Sequence, residues 1–283
     1  MLSLHTNNAA LSAQNSISKT QQSLSTSMTR LSTGFRINSA MDDAAGLQIA
    51  TRLKAQTSGM AVAMSNTQNS TSMLQTAEGA FGEVTNMLVR MKDLATQAAD
   101  ASSGAADKTA MQSEFDALGL ELSNVMKNTT FGGNKLLVGG TVASAMTFQI
   151  GASASETMSF NVSTQMTSVA TALTSATANY ASAATGTELT ATANATITLL
   201  DTAIASVATV QSSLGAAANR LDHVNSNLSN ISTNTKAATG RIMDVDFATE
   251  SSKMTASQML LQAGTAMLKQ SNSMSSMVMS LLQ

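Results

Sequence analysis

Apolar side chains recur along this chain at alternating spacings of three and four residues, and the longest unbroken run lies between Leu200 and Ile231. This spacing places the apolar positions on one narrow face of a helix, as in a coiled coil. A helix of that length is a rod of roughly 48 Å, and its single stripe needs a partner to cover it. The apolar positions are Leu200, Ala203, Val207, Val210, Leu214, Ala217, Leu221, Val224, Leu228 and Ile231.

The clearest partner for this rod is the stretch from Leu74 to Ala98, which has the same spacing. The pattern predicts a helix that begins near Asp42 and Asp43, two acids suited to a helix N-terminus, and ends at about residue 99. A third helix, predicted after the turn-like segment DASSGAAD, closes a three-helix bundle. The apolar positions are Leu74, Ala77, Phe81, Val84, Leu88, Met91, Ala95 and Ala98, and then Met111, Phe115, Leu118, Leu122 and Val125.

The hydrophobic period changes after the third helix. The segment FGGNKLLVGG holds four glycines, and apolar residues then alternate with polar ones on both sides of the turn-like GASASE. This alternation predicts a β-hairpin over about 148–162. Residues 163–195 are almost wholly Ala, Ser, Thr and Asn, with Glu188 as their only charge. They hold too few large apolar groups for a separate core and are interpreted as a short variable tip or loop, which could be part helical.

Both ends of the chain are amphipathic, although less regularly than the middle. Gly34 and the pair Asn38-Ser39 predict a break after the first helix. We interpret the two ends as helices that pair with each other or with neighbouring copies. The predicted self-assembly seam of these terminal helices is Leu24, Met28, Leu31, Phe35, Met254, Leu261, Leu268, Val278 and Leu281.

These elements predict a mainly α fold, a long antiparallel helical bundle or coiled coil built from both chain ends, with a small β-hairpin region after the third helix. The domains are discontinuous. Residues 1–40 with 241–283 form an inner coiled-coil domain. Residues 41–162 with 196–240 form the bundle and hairpin domain, and 163–195 form the tip.

The composition gives little support for catalysis or ligand binding. The chain has no cysteine, and its two histidines, His5 and His223, fit neither a zinc motif nor a catalytic triad. Its glycines match no phosphate-binding loop. Lysines and arginines occur singly and the formal net charge is -2, which does not indicate nucleic-acid binding. We expect no enzyme activity, no catalytic residue, no metal and no cofactor.

Membrane insertion is not expected either, because no window reaches about 18 consecutive apolar residues. The first residues also lack the charged and apolar regions of a classical signal peptide. The complete absence of proline favours long uninterrupted helices.

Three segments closely resemble bacterial flagellins. They are RLSTGFRINSAMDDAAGLQIATRLKAQ (30–56), SSLGAAANRLDHVNSNLSNI (212–231) and RIMDVDFATESSKMTASQMLLQAGTAMLKQSN (241–272). The first is similar to the N-terminal signature of that family and the others to its C-terminal signature, in the right order. The opening MLSLHTN and residues 72–100 look more like lateral, swarming-type flagellins than polar ones.

The resemblance implies a structural subunit that self-assembles into the bacterial flagellar filament for motility. Such a subunit would be exported unfolded by the flagellar type III system and would reside outside the cell. Its partners would be further copies of itself, the flagellar cap and hook–filament junction proteins and, through its C-terminal helix, the flagellin export chaperone. The alternatives are a hook–filament junction protein and a secreted coiled-coil effector or adhesin.

The resemblance also implies an innate-receptor-like patch, since flagellins of some bacteria are recognised by Toll-like receptor 5 through the helical bundle. The matching positions are Arg90, Leu94 and Glu114. Val89, Lys92 and Asp93 depart from the best-recognised pattern, which has Gln, Arg and Glu there. Because such residues also lie at subunit contacts of the filament, we expect the patch to serve as a subunit contact as well.

Overall fold

The computed structural model describes residues 7–182 and 185–281, with side chains through residue 274. Within these ranges the chain folds mainly into helices, as the hydrophobic pattern predicts, with two small antiparallel sheets. The helices are α1 (Asn8–Thr33), α2 (Ala44–Ala99), α3 (Ala105–Asn128), α4 (Ser163–Ala176), α5 (Ala178–Ala181), α6 (Glu188–Ala191), α7 (Ala193–Met243) and α8 (Phe247–Leu281). The strands are β1 (Thr130–Phe131), β2 (Asn134–Lys135), β3 (Met146–Gln149) and β4 (Thr157–Phe160).

Local capping sets the ends of the long helices. α1 ends at Gly34, which adopts a left-handed conformation with φ 75° and donates its N–H to the Arg30 carbonyl at 2.9 Å. At the start of α2, the Asp43 carboxylate accepts the N–H of Gly46 at 2.8 Å. The predicted break and helix start are therefore confirmed.

The chain divides into two compact units. The central unit comprises residues 58–232, and the terminal unit comprises residues 1–57 and 233–283. The long helices α2 and α7 each contribute to both units.

The core of the central unit is formed by α2, α3 and α7, together with the hairpin and α4. Its apolar positions follow the heptad spacing, because only residues on the facing stripes of neighbouring helices reach the interior. A smaller cluster joins Met60 and Ala63 of α2 to Leu228 of α7. The fully buried heptad positions include Leu74, Phe81, Val84, Leu88, Val207, Val210, Leu214 and Leu221.

The predicted β-hairpin is present as the antiparallel pair β3–β4, in which Phe148 lies opposite Met158. Both side chains are buried and cover one side of the bundle core. The glycine-rich segment before it forms the smaller pair β1–β2, whose turn uses Gly132 and Gly133 at positive φ.

Residues 163–195, interpreted from their composition as a tip or loop that could be part helical, contain α4, α5, α6 and the first residues of α7. α4 presents Met166, Val169 and Leu173 to the same core as the bundle helices, and Leu189 of α6 is also buried there. Small alanines between these positions let α4 approach closely, so few large side chains suffice. The segment builds no core of its own and instead extends the existing one.

In the terminal unit, α1 packs along α8. The loop after α1 is tied to the end of α7, since Phe35 forms a bridge with Asp244 and the Val245 N–H donates to the Gly34 carbonyl at 3.0 Å. α7 continues to Met243, although the apolar pattern loosens over 234–240. Lys236, Ala237 and Ala238 there are good helix formers, and no proline interrupts the helix.

Candidate functional site

The two terminal helices meet along a heptad seam that alternates large apolar residues with small or polar ones. On each helix the half-buried and buried positions recur at spacings of three and four, while the flanking positions are mostly exposed. The α1 positions are Ala10, Ala13, Ile17, Thr20, Leu24, Ser27 and Leu31. The α8 positions are Glu250, Met254, Ser257, Leu261, Gly264, Leu268 and Ser271.

Two polar contacts lie near opposite ends of this seam. The Ser27 hydroxyl donates to Glu250 Oε1 at 2.7 Å, and both residues are buried. At the other end, Asn7 Nδ2 donates to the Ser271 hydroxyl at 3.1 Å and to its carbonyl at 3.3 Å. Because Asn7 meets Ser271 and Ser27 meets Glu250, the two helices run antiparallel.

Basic side chains surround the buried Glu250 carboxylate. Arg30 Nη1 lies 3.8 Å from Glu250 Oε1, and Lys253 Nζ lies 3.7 Å from Oε2. Arg30 also reaches Asp42 at 4.0 Å. Hydrogen bonds from the backbone of Ser39 and Asn38 lower the pKa of Asp42, and Arg30 adds a smaller contribution in the same direction. Asp42 therefore stays ionised beside the arginine at neutral pH.

A groove of about 410 Å³ lies beside the Ser27–Glu250 contact. It is bordered by hydroxyl-bearing side chains and by Arg30, Glu250 and Lys253. Within the described residues, no group of three or more His, Cys, Asp or Glu side chains could hold a metal ion. His223 is exposed, and His5 lies outside the described residues.

The structure separates the predicted terminal seam into two groups. Leu24, Leu31, Met254, Leu261 and Leu268 lie on the paired faces of α1 and α8. Met28 remains 51% exposed, because Ser27 takes the inward position next to it. Phe35 lies beyond the end of α1 and is 45% exposed. The side chains of Val278 and Leu281 lie outside the described residues.

A second apolar stripe on α8 was not distinguished in the sequence. Leu260, Met267 and Met274 follow one another at intervals of seven residues and are 62%, 68% and 55% exposed. Leu260 is next in sequence to Leu261 of the paired face and Met267 is next to Leu268, about 100° around the helix. Met259 adds a further 60% exposed side chain beside Leu260. Large apolar side chains exposed at a heptad interval are typical of a helix that packs against a second partner.

The predicted bundle seam lies in the interior of the central unit. Leu228 is 8% exposed and Val224 is partly buried, both in the smaller cluster with Met60. Ile231 is 39% exposed, because Ser232 takes the buried position at that turn. One window of α7 is long and apolar enough to cross a membrane by length and composition alone. The heptad positions of α7 from Leu200 to Leu221 belong to the bundle core.

The residues predicted to form the innate-receptor-like patch are Arg90 and Leu94 on α2 and Glu114 on α3. An ion pair between Arg90 and Glu114 connects the two helices. Arg90 Nη2 lies 2.7 Å from Glu114 Oε1, and both side chains are about half exposed. Leu94 is only 3% exposed and belongs to the core beneath them. Arg90 and Glu114 therefore form the polar surface of the patch, flanked by the 46% exposed Val89.

A polar network that sequence reasoning missed holds α5 and α6 against α3. Gln112 donates to Asp116 at 2.8 Å and to Glu188 at 2.9 Å, and it accepts the Leu189 N–H at 2.7 Å. Asn179 also donates to Asp116, at 2.8 Å. One feature of the sequence could have indicated this network. Glu188 is the only charged residue of 163–195, and a carboxylate that packs against an apolar core needs polar partners.

Tyr180, the single tyrosine of the chain, lies beside this network. Its carbonyl accepts hydrogen bonds from Ser123 Oγ at 3.1 Å and Lys127 Nζ at 3.2 Å. Burial raises the pKa of the Tyr180 hydroxyl above its ordinary value of 10.0. The ring also lies 5.7 Å from Lys127 Nζ, within cation–π distance.

Comparisons with known proteins match both ends of the sequence. The family model for the bacterial flagellin N-terminal helical region matches residues 4–141, and that for the bacterial flagellin C-terminal helical region matches residues 197–282. Polar flagellin F of Vibrio parahaemolyticus is 46% identical over 59% of this chain and 44% of its own length. Flagellin C of Vibrio cholerae is 48% identical over 57% of this chain and 42% of its own length. The matched stretch thus spans less than half of each of these relatives.

A solved structure from Vibrio parahaemolyticus, described as a flagellar hook-associated protein, has a similar fold. Its TM-score is 0.58 at 18% sequence identity, and the match covers 72% of this chain and 100% of that chain. At this identity the similarity concerns the fold alone.

Proposed function

Since the chain belongs to the bacterial flagellin family, we propose that it is the structural subunit of an extracellular flagellar filament and serves motility. The observation that carries this proposal is the second stripe of α8, Leu260, Met267 and Met274, exposed at heptad spacing beside a helix that already pairs with α1. A helix with two such faces can pair within its own chain and pack against a neighbouring copy.

Terminal helices with two faces suit a protein that completes its folding on assembly. The terminal unit leaves large apolar side chains exposed on both helices, including Leu11 at 57% and Met28 at 51%. Burial of this surface against neighbouring copies stabilises the polymer through the hydrophobic effect. This role is structural and needs no active site, metal or cofactor.

For the assembled filament we propose an inner coiled-coil domain of residues 1–40 and 241–283. An outer domain would comprise 41–162 and 196–240, with 163–195 as a short tip on it. Burial of α4 in the bundle core supports a tip that is closely attached to the outer domain.

The proposed partners follow from the filament role. The chain is exported unfolded by the flagellar type III system, and the C-terminal helix α8 binds the export chaperone before export. At the filament it meets copies of itself, the cap and the hook–filament junction proteins. The exposed apolar stripe of α8 is a suitable surface for the chaperone, because it is free before assembly.

The patch of Arg90 and Glu114, with Leu94 beneath it, is proposed as a subunit contact and as a site for Toll-like receptor 5. Its exposed ion pair and the neighbouring Val89 give a polar surface with an apolar edge. The resemblance of residues 72–100 to lateral flagellins stays a prediction, and the matched relatives include a polar flagellin.

A hook–filament junction protein is the second candidate, because such a protein would share the terminal motifs that the chain has in common with flagellins. The identities of 46–48% to flagellins favour the filament subunit. A junction protein would be present in few copies and would not polymerise by itself. A secreted coiled-coil effector or adhesin would also stay monomeric.

The test is seeded polymerisation of the purified full chain, followed by negative-stain electron microscopy. We expect long uniform filaments from the full chain and none after removal of residues 249–283, which deletes most of α8. Circular dichroism of the truncated chain should still show a folded bundle. A full chain that stays monomeric with seeds would contradict the filament role, and filaments from the truncated chain would contradict the role of α8.

A further inference from the structure

We infer that the polar pairs Ser27–Glu250 and Asn7–Ser271 determine the register in which α1 and α8 pair, so that Ser27 and Glu250 are specificity-determining residues of the terminal unit. The inference concerns pairing within one chain and goes beyond the proposed function. Only its consequence for assembly, that one register of the terminal helices fits the filament, rests on that function.

The two polar pairs are separated by nearly the same number of residues on α1 and on α8. Asn7 and Ser27 are 20 residues apart on α1, and Glu250 and Ser271 are 21 residues apart on α8. The helices therefore run side by side without slipping over about 30 Å. An apolar heptad seam alone does not exclude a shift by seven residues, because such a shift again places apolar positions opposite one another.

Glu250 makes a shifted register unfavourable. Its side chain is 6% exposed, and Ser27 and Arg30 of α1 supply its cross-helix partners. A shift by one heptad in one direction would place Thr20 opposite Glu250 and move Arg30 away. A shift in the other direction would place Gly34, at the end of α1, opposite Glu250. Each shift removes the Ser27 contact and the first also removes Arg30, which leaves Lys253 of its own helix as the charged partner of Glu250. Loss of a cross-helix partner destabilises a buried carboxylate.

A close approach between Ile17 and Gly264 selects the same register. A Cβ atom at Gly264 would lie 2.9 Å from Ile17 Cγ1, closer than two carbon atoms can pack. A shift by one heptad would bring Ser257 or Ser271 against Ile17, and each of these has a Cβ. The packing and the polar contacts thus favour one register independently.

The inference can be tested by disulfide formation in the full chain, which has no cysteine of its own. Thr20→Cys with Ser257→Cys reports the observed register. Thr20 is seven residues before Ser27 and Ser257 is seven residues after Glu250, so the two positions face each other when Ser27 faces Glu250. Ala13→Cys with Ser257→Cys reports a shift in one direction, and Leu24→Cys with Leu261→Cys reports a shift in the other. Intramolecular disulfides are measured by electrophoretic mobility at low protein concentration.

In the unmodified background we expect the observed-register disulfide to exceed both shifted ones by at least about tenfold. Ser27→Leu with Glu250→Leu removes the polar contact but keeps the seam apolar, so this preference should fall at least about fivefold. Glu250→Gln, which can still accept the Ser27 hydrogen bond, should keep most of it. Ser25→Leu with Ser251→Leu is the matched control at exposed positions of the same helices and should leave the preference unchanged.

A variant in which Ser27 and Glu250 are exchanged between the two helices provides a second test if the double leucine chain does not fold. Ser27→Glu alone should weaken the observed-register disulfide by placing two carboxylates together, and adding Glu250→Ser should restore it. An unchanged preference in the double leucine chain would overturn the inference. So would the absence of the observed-register disulfide in the unmodified background, or an exchange that fails to restore it. Filament growth of the unmodified chain is scored separately, which distinguishes failure of this inference from failure of the filament role.

Discussion

The exposed stripe of α8 gives a quantitative prediction for assembly. Leu260, Met267 and Met274 are each more than half exposed, and full burial of such a side chain stabilises by ~1.5–3 kcal/mol. Covering the exposed part of each in a filament should therefore contribute ~1–2 kcal/mol. Replacing all three by serine should weaken subunit addition by ~3–6 kcal/mol, which raises the critical concentration for polymerisation roughly 150- to 20,000-fold.

The assay is sedimentation of seeded filaments, with the protein left in the supernatant measured as the critical concentration. Met267→Ser alone should raise it roughly 5- to 30-fold. The matched control replaces Val62, Leu120 and Leu199, exposed apolar residues of the central unit, by serine. A rise below about threefold for the triple α8 variant, or an equal rise for the control, would refute the assignment of this stripe to a subunit contact.

Three further predictions concern individual contacts. Gln112→Ala should lower the free energy of unfolding by ~2–4 kcal/mol in urea denaturation, because the Leu189 N–H and two carboxylates lose a partner; a loss below about 0.5 kcal/mol would contradict this role. Gly264→Val should abolish filament growth while the helix content measured by circular dichroism is retained, since the added side chain meets Ile17. Normal filaments from this variant would show that the seam between α1 and α8 accommodates the valine. The tyrosinate absorbance of Tyr180 should titrate at higher pH in the folded chain than in urea. Because burial raises its folded-state pKa, its contribution to stability is present below pH 10 and is lost as pH rises through the folded-state pKa; equal titration in both states would contradict its burial.

Much of the fold could be predicted because its strongest signals are local. The three-and-four spacing from Leu74 to Ala98 identifies buried positions directly, since a helix places such residues on one face. Gly34 and Asp43 identify a helix end and start for equally local reasons, a left-handed conformation and a capping carboxylate.

The rest depends on contacts between distant residues or on polar residues in apolar positions. Gln112 and Glu188 are 76 residues apart, and neither is marked by periodicity. Ser27 and Glu250 occupy the inward face of the terminal helices, so counting apolar residues selects Met28 instead, which is exposed. The exposed stripe of α8 was missed for a different reason, because Leu260 is adjacent in sequence to Leu261 but lies on another face of the helix.

The pairing of Asn7 with Ser271 joins residues 264 positions apart in the chain. Contacts of such high contact order form late in folding, because nearly the whole chain must close into a loop before they can be made. The core of the central unit lies within residues 58–232 and can form before α8 is in place. The seam between α1 and α8 therefore closes last, and a variant that lacks α8 would keep the core but lose the seam.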